Sequence, residues 1–268
     1  MWTLDKNESG RGKSDKRRRA AKTKTETGGG AEWAREHLQF EADATQAKVL
    51  NGKYRRLLLN CTRQWGKSTV AAAKAVHQAQ TKGGSLTLVV SPSSRQSGEF
   101  LRKVEEFVKR LHVRPRSDGD NEMSLLMPNE SRIVGLPGTE ATVRGFSAVS
   151  LLVVDEAARV SDELYLAIRP MLAVSRGTLW MMSTPYGRKG FFYEAWEHGG
   201  DEWERVRVTA EECARIPRGF LAGERKATGD RAYRQEYLCE FLDADHGVFE
   251  GDVVEGAITG DVKPLRLD

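Results

Sequence analysis

One short stretch, residues 56–69, constrains the fold of this chain more than any other part of its sequence. An apolar run leads into a polar loop that ends in Gly66-Lys67-Ser68-Thr69, and strong helix formers occupy positions 70–75. This order of strand, loop and helix is what a phosphate-binding loop (Walker A motif) requires, because backbone N–H groups and the positive dipole end of the helix then face the phosphates. In such a loop Lys67 reaches the β- and γ-phosphates, and the Ser68 hydroxyl holds Mg²⁺.

A second motif, typical of a Walker B strand, places two carboxylates after a second apolar run at residues 151–154. Four consecutive apolar residues bounded by polar ones predict a strand that is buried on both faces, as in a parallel sheet. Such sheets bind ligands at the carboxyl ends of their strands. Asp155 would hold Mg²⁺ through water, and Glu156 would orient the water that attacks the γ-phosphate. Alone, the two acids are typical of a solvated strand end; together with the upstream loop they indicate an ATPase.

The composition is that of a globular protein, with 268 residues, 39% hydrophobic and 30% charged. This length can bury one large core or two modest ones. No apolar run is long enough to span a bilayer, and the amino terminus lacks a signal peptide's apolar stretch, so we expect no membrane partner. The three cysteines (Cys61, Cys213 and Cys239) are widely spaced and predict neither a disulfide framework nor a zinc site, which favours a reducing cytoplasm.

The net charge of +4 is concentrated in the amino-terminal tail, since residues 1–30 hold nine Lys or Arg against four Asp or Glu. That polar, basic tail is predicted to be disordered. Contact with nucleic-acid phosphates and a plain solubilising role both fit it. We therefore predict three parts: a basic tail at 1–30, one globular domain at 31–245, and a weakly patterned linker at 246–268.

Strands alternate with helices along the globular part, which predicts an α/β fold with a mostly parallel central sheet flanked by helices, as in RecA-like (ASCE) phosphate-loop NTPases. The expected strands lie at 56–61, 86–90, 151–154, 178–183 and 203–208, with a hairpin at 124–135. The first expected helix contains Trp33, Leu38 and Phe40. The others lie at 46–50, from the loop to about 82, at 96–111, after a Ser161 cap, and at 191–196, 218–227 and 230–240.

These motifs resemble the ATPase domain of large terminase subunits, the motors that package DNA into the heads of tailed bacteriophages and related viruses. The resemblance spans about residues 31–245 and depends on four segments at 61–69, 151–156, 183–187 and 233–241. The family commonly replaces the first glycine of the phosphate loop and carries Arg-Gln before Gly-Lys. Cys61, at the position of that glycine, therefore fits the family better than the general pattern.

The resemblance also implies roles for individual residues. The catalytic set would be Glu156, Arg63 as a γ-phosphate sensor in the same subunit, and Arg144 reaching into a neighbouring subunit. The nucleotide would be held by Gln46, which reads the adenine edge, and by Thr62, Arg63, Gln64, Trp65, Gly66, Lys67, Ser68 and Thr69. Ser68 and Asp155 would hold the metal, while Ser183, Thr184 and Pro185 would relay hydrolysis to DNA movement.

Three of these residues have plainer interpretations, which the sequence leaves open. Arg63 could form a salt bridge on the loop, Gln46 could be a surface glutamine on a helix, and Arg144 could pair with a local carboxylate. Arg95, close to the start of a predicted helix, could contact DNA or lie on a solvated helix start.

For the whole chain, the resemblance implies a Mg²⁺-dependent ATPase that moves double-stranded DNA into the procapsid, with ATP and Mg²⁺ as cofactors and the host cytoplasm as its location. It also implies a portal protein and a small terminase subunit as partners, and a homo-oligomeric ring of five subunits whose members can be monomers alone. The alternatives are a helicase-like ATPase, for which a second RecA-like domain has no room, and a nucleotide-gated DNA-binding protein without useful turnover.

Complete large terminases continue into a nuclease domain with an RNase-H-like fold and acidic metal ligands. This chain stops at Asp268, about where that domain should begin. Asp243, Asp245, Asp252 and Asp261 are too scattered to predict a metal cluster. We therefore expect no nuclease activity from this chain.

Overall fold

The computed structural model describes residues 29–116, 123–138 and 145–243. The helices are α1 (Gly30–Leu38), α2 (Ala44–Asn51), α3 (Lys67–Thr81), α4 (Ser94–Arg110), α5 (Asp162–Ile168), α6 (Gly190–Glu197), α7 (Arg218–Thr228) and α8 (Asp230–Tyr237). The strands are β1 (Arg56–Cys61), β2 (Leu86–Ser91), β3 (Ser124–Leu126), β4 (Arg132–Pro137), β5 (Leu151–Asp155), β6 (Thr178–Ser183) and β7 (Glu204–Val208). Single 3-10 turns follow β5 (Ala157–Arg159), α5 (Arg169–Leu172) and α6 (Gly200–Glu202).

The strands form a seven-stranded sheet in the order β3-β4-β2-β5-β6-β1-β7. Every pairing is parallel except that of β3 with β4, which forms the predicted hairpin with Leu125 opposite Ile133. The mostly parallel α/β architecture predicted from the sequence is confirmed. Because the strands are parallel, the carboxyl ends of β1, β5 and β6 meet at one edge of the sheet, where ligands bind in such folds.

Two hydrophobic layers cover the two faces of the sheet, as the buried central strands require. Along β1, Leu57 and Leu59 pack into the layer that contains α1 to α4, while Leu58 packs into the layer that contains α5 and α6. A third, small cluster joins Leu221 of α7 and Tyr233 of α8. The alternation of β1 side chains thus anchors the strand that leads into the phosphate loop from both sides.

Element bounds differ from the sequence prediction mainly at helix ends. The helix expected at 96–111 begins at Ser94, because the Ser93 side chain caps it by accepting a hydrogen bond from the Gln96 N–H. The helix expected to run to 240 ends at Tyr237, and Cys239 takes a left-handed φ of 59° that no helix can continue through. The Ser161 cap on α5 is confirmed, since its side chain accepts from the Leu164 N–H.

The three cysteines are free and buried, as expected for a chain without a disulfide framework. Among the residues that the structure describes, no helix combines the length and the apolar character that crossing a bilayer demands.

Candidate functional site

The loop between β1 and α3 turns sharply at Gly66, the N-cap of α3. Gly66 has a φ of +95°, which favours glycine, and a Cβ built there would lie 3.2 Å from the Gln46 amide nitrogen. Gln64, two residues earlier, also has a left-handed backbone, with φ of 66°. The fifteen-residue helix α3 therefore begins with its amino end open to the cleft, which gives an anion a set of free N–H groups and a favourable dipole.

Lys67 is the first residue of α3, and its side chain folds over the loop. Its ammonium donates to the carbonyls of Cys61, at 2.7 Å, and Thr62, at 3.2 Å. Only 7% of the residue is exposed. A buried ammonium that contacts two loop carbonyls holds a positive charge directly beside the helix start, as the sequence predicts for a phosphate-binding lysine.

Ser68 and Asp155 bring the two sequence motifs together. The Ser68 hydroxyl donates to the Asp155 carboxylate at 3.1 Å, and Asp155 stands at the carboxyl end of β5. Burial raises the pKa of Asp155 to about 6, and the nearby Glu156 charge adds to the rise, while the Ser68 hydrogen bond and the Lys67 charge oppose it. A desolvated carboxylate beside a hydroxyl is stabilised in its ionised form by a cation.

Glu156 follows β5 in a left-handed conformation, with φ of 51°, and turns its carboxylate toward the end of β6. Its Oε2 accepts from the Arg159 guanidinium at 3.0 Å and from the Ser183 hydroxyl at 3.5 Å. Its backbone N–H donates to Asp155 at 3.0 Å. The predicted catalytic carboxylate is therefore held in place by donors from two neighbouring elements.

The segment predicted to couple hydrolysis to movement lies against this carboxylate. Ser183 and Thr184 are almost fully buried at the end of β6, and Pro185 follows them. The Thr184 hydroxyl accepts from the Arg159 guanidinium at 3.3 Å. The structure thus brings Ser183 and Thr184 together with Glu156.

Arg63 forms the salt bridge that was the plainer interpretation of this residue. Its Nε lies 2.8 Å from the Glu236 carboxylate of α8, and its side chain is 63% exposed. The other oxygen of Glu236 accepts from Arg159 at 3.1 Å. Arg63 nevertheless lines the same cavity as Lys67 and Ser68.

Two residues of this network were missed at the sequence level. Arg159 lies three positions after Glu156, a spacing at which side chains on one turn meet, and this could have drawn attention to it. Glu236 lies within the late family motif at 233–241, but no local pattern points from α8 to residues 63 and 159. Arg159 borders a cavity with a volume of about 650 Å³. It is lined by the following residues besides Arg159: Arg63, Gln64, Gly66, Lys67, Ser68, Thr69, Gln96, Lys103, Glu156 and Arg215.

Gln46 is not a surface glutamine, since only 1% of it is exposed. It forms a capping box with Asp43 at the start of α2, in which its Oε1 accepts from the Asp43 N–H at 3.1 Å. Its amide nitrogen donates to the Trp65 carbonyl at 2.8 Å, and the Arg215 guanidinium donates to the same carbonyl. Gln46 therefore fixes the loop that precedes the phosphate-binding turn.

A second cavity, of about 420 Å³, borders Trp65. Gln46, Trp65 and Arg215 line it together with Thr45 and Val208. The predicted contact between Gln46 and an adenine base stays a prediction.

Several predicted residues lie outside the described part of the chain. Arg144 is one of them, and so are residues 1–28 and 244–268, which hold nearly all of the predicted tail and linker. Asp243, at the end of the described part, forms an ion pair with Arg188 at 3.6 Å.

Comparison with known proteins identifies relatives of this chain. A model of the family described as "Terminase large subunit, T4likevirus-type, N-terminal" matches residues 58–255. The large terminase subunit of Thermus phage G20c is 26% identical over 251 residues, which covers 81% of this chain and 52% of that protein. The corresponding protein of Thermus virus P23-45 matches equally well. The chain spans about half the length of the curated relatives that it matches.

Solved structures share the fold. The ATPase domain of the Thermus phage P74-26 large terminase superimposes with a TM-score of 0.67 at 22% identity, covering 78% of this chain and 97% of that domain. The large terminase of another thermophilic bacteriophage, in complex with ADP, gives a TM-score of 0.63 at 14% identity, covering 74% of this chain and 53% of that one. At these identities the likeness shows the architecture alone.

Proposed function

The chain belongs to the family of terminase large subunits, whose T4-like amino-terminal part its residues 58–255 match, and we propose that it is a Mg²⁺-dependent ATPase motor domain. In this proposal it hydrolyses ATP and couples that reaction to the translocation of double-stranded DNA into a procapsid. The relatives support this, since one is called an ATPase domain and another was solved with ADP.

The observation that carries the proposal is the 3.1 Å hydrogen bond between Ser68 and Asp155. It joins the phosphate loop to the end of β5, and it leaves Lys67 and Glu156 facing the same cavity of about 650 Å³. Loop amides and Lys67 would hold the phosphates. Glu156, fixed by Arg159 and Ser183, would accept a hydrogen bond from the attacking water and orient it toward the γ-phosphate.

The residues present fit a magnesium ion. Mg²⁺ prefers oxygen ligands and usually takes one or two protein groups, with water and substrate phosphates completing the shell. Ser68 and Asp155 offer a hydroxyl and a buried carboxylate side by side. Within the described ranges no three His, Cys, Asp or Glu side chains converge as a protein-only metal cage. Bound Mg²⁺ would neutralise charge on the phosphate oxygens.

The partners of the motor are part of the same proposal. Double-stranded DNA, a portal protein and a small terminase subunit would be its partners in the host cytoplasm, and the working form would be a ring, of five subunits by family resemblance. Arg144 would complete the site of a neighbouring subunit. The absence of nuclease activity in this chain also stays a prediction.

Hydrolysis of Mg²⁺-ATP by the purified chain tests the ATPase proposal. We expect Lys67→Ala to lower kcat/KM by about 100-fold or more, because it removes the charge that faces the phosphates. Lys82→Ala, an exposed lysine just beyond the carboxyl end of α3, is the matched control and should keep wild-type turnover. Equal rates in wild type and Lys67→Ala would overturn the proposal.

The ring is tested by measuring the same turnover per subunit against protein concentration. If Arg144 completes a neighbouring site, turnover per subunit rises with concentration, and Arg144→Ala abolishes the rise. Turnover that is independent of concentration in both proteins would show that each subunit is self-sufficient, which would leave Arg63 as the catalytic arginine.

A further inference from the structure

The guanidinium of Arg159 contacts three elements that are distant in sequence. One nitrogen donates to the Glu156 carboxylate at 3.0 Å and to the Thr184 hydroxyl at 3.3 Å, and the other nitrogen donates to Glu236 of α8 at 3.1 Å. Its planar group also lies 5.0 Å from the centroid of the Tyr186 ring. Since 24% of the side chain is exposed, these contacts are made in a partly dehydrated setting.

We propose that Arg159 is a positioning residue for the proposed ATPase reaction: it fixes the carboxylate of Glu156 and makes its position depend on the end of β6 and on α8. This inference rests on the proposed function. Arg159 acts through Glu156, and the water-orienting role stays with the carboxylate.

The choice of arginine at this position is physically specific. A guanidinium presents several N–H groups in a rigid plane, so it can donate to the Glu156 and Glu236 carboxylates and to a hydroxyl at once. A lysine ammonium is a single point on a flexible stem and cannot reproduce that fork. The cation–π contact with the Tyr186 ring restricts the position of the guanidinium further.

The charged side chains around Arg159 also restrict where its guanidinium can lie. Two carboxylates, Glu156 and Glu236, alternate with two guanidinium groups, Arg159 and Arg63. Three of the four side chains are between 21% and 28% exposed, and only Arg63 is open to solvent. Removal of Arg159 would leave Glu156 with the long 3.5 Å contact to Ser183 and without its charged partner.

The segment of α8 that carries Glu236 is attached to the phosphate loop and to β1. The Thr62 hydroxyl donates to the Glu236 carbonyl at 3.1 Å, and the Asn60 amide donates to the Cys239 carbonyl at 3.0 Å. The backbone that carries Glu236 is therefore held against β1 and the loop. Through Arg159, a displacement of α8 relative to β5 would move the carboxylate of Glu156.

The first test compares steady-state kinetics of wild type and Arg159→Ala with Mg²⁺-ATP. We expect kcat to fall about 10- to 100-fold, with the KM for ATP within about twofold, because a misplaced carboxylate slows the chemical step without weakening ground-state binding. Arg55→Ala, an exposed arginine at the opposite edge of the sheet, is the control and should match wild type.

A double-mutant cycle separates action through Glu156 from direct contact with phosphate. If Arg159 works through the carboxylate, Arg159→Ala should change the single-turnover rate of the Glu156→Gln variant by less than about twofold. A similar fractional loss in both backgrounds, or a wild-type kcat in Arg159→Ala, overturns the inference. Guanidinium ion at low millimolar concentration should restore part of the lost rate in Arg159→Ala but leave Glu156→Gln unchanged.

Arg159→Lys covers the case in which the alanine variant does not fold. We expect it to keep the charge and the melting temperature yet retain less than about a tenth of kcat, because the fork is lost. Full activity in Arg159→Lys contradicts the fork argument. If wild type itself shows no hydrolysis, the proposed function fails; if wild type hydrolyses ATP and the Arg159 variants match it, only this inference fails.

Discussion

The two sides of the phosphate loop are built by different means. On the side of the 420 Å³ cavity, the Trp65 carbonyl accepts from Gln46 and from Arg215, so a backbone atom is the anchor. On the side of Glu156, the structure depends on side chains that contact other side chains: Arg159 touches Glu156 and Glu236. On the first side the shared anchor is a main-chain carbonyl, and on the second the shared contacts are ion pairs between side chains.

This difference indicates a division of labour between the two sides. Gln46 is 1% exposed and locked in a capping box, so its side of the loop keeps one shape whether or not the phosphates are present. In the proposed reaction, contacts of that kind would stabilise a bound nucleotide equally before and during the reaction, and they would affect KM. Glu156 and Arg159 are held by charge. In the proposed reaction their geometry would decide how the attacking water is oriented, and a change in it would affect kcat.

The largest effect expected from this division is that of Glu156→Gln. The isosteric amide keeps the shape but loses the negative charge that orients water, so kcat should fall about 100- to 10,000-fold while ATP affinity is retained. Single-turnover rates and equilibrium binding of ATP measure the two quantities. Glu105→Gln, on the exposed face of α4, is the isosteric control. Normal turnover in Glu156→Gln would remove this residue from the mechanism.

The next largest effect is a pH dependence of stability that arises from the buried carboxyl group of Asp155. Its folded pKa, about 6, lies above the ordinary value of 3.8, so the folded chain binds this proton more tightly than the unfolded chain does. Its contribution to stability is therefore full below the unfolded pKa of 3.8 and is lost as the pH rises through 6. The side chain introduced by Asp155→Asn cannot ionise. The free energy of unfolding of this variant should therefore rise relative to that of wild type as the pH increases.

We expect that rise to be about 2 kcal/mol between about pH 4.5 and about pH 7.5, from a shift of about two pKa units. Urea unfolding of both proteins with Mg²⁺ chelated gives the free energies of unfolding. A difference that does not change with pH would show that the carboxylate is not desolvated in the folded chain.

Much of the fold could be predicted because its strands are short apolar runs bounded by polar residues. β1, for example, covers Arg56–Cys61 as expected, and β5 covers Leu151–Asp155. Lys67 and Ser68 could be predicted from the strand-loop-helix pattern of the phosphate loop. Asp155 and Glu156 could be predicted from the rule that parallel sheets bind ligands at the carboxyl ends of their strands.

The order of strands and the ion-pair side of the site could not be predicted in the same way. Strand order is decided by contacts between distant segments, which no local pattern records. Arg159 and Glu236 are 77 residues apart, and each looks like an ordinary charged residue in its own segment. Gln46 was placed near the base by resemblance, but its capping box and its bond to Trp65 emerge only once α2 is packed against the loop.

The smallest effect, and the sharpest check of the division, is expected at Arg215. This residue donates to the Trp65 carbonyl and forms an ion pair with Asp43 at 3.1 Å. Since both of these partners lie on the backbone-anchored side, Arg215→Ala should raise the KM for ATP about 5- to 20-fold, as loss of one charged hydrogen bond does, with kcat within about twofold. A fall in kcat as large as that of Arg159→Ala would mean that the two sides of the loop are coupled and act as one unit.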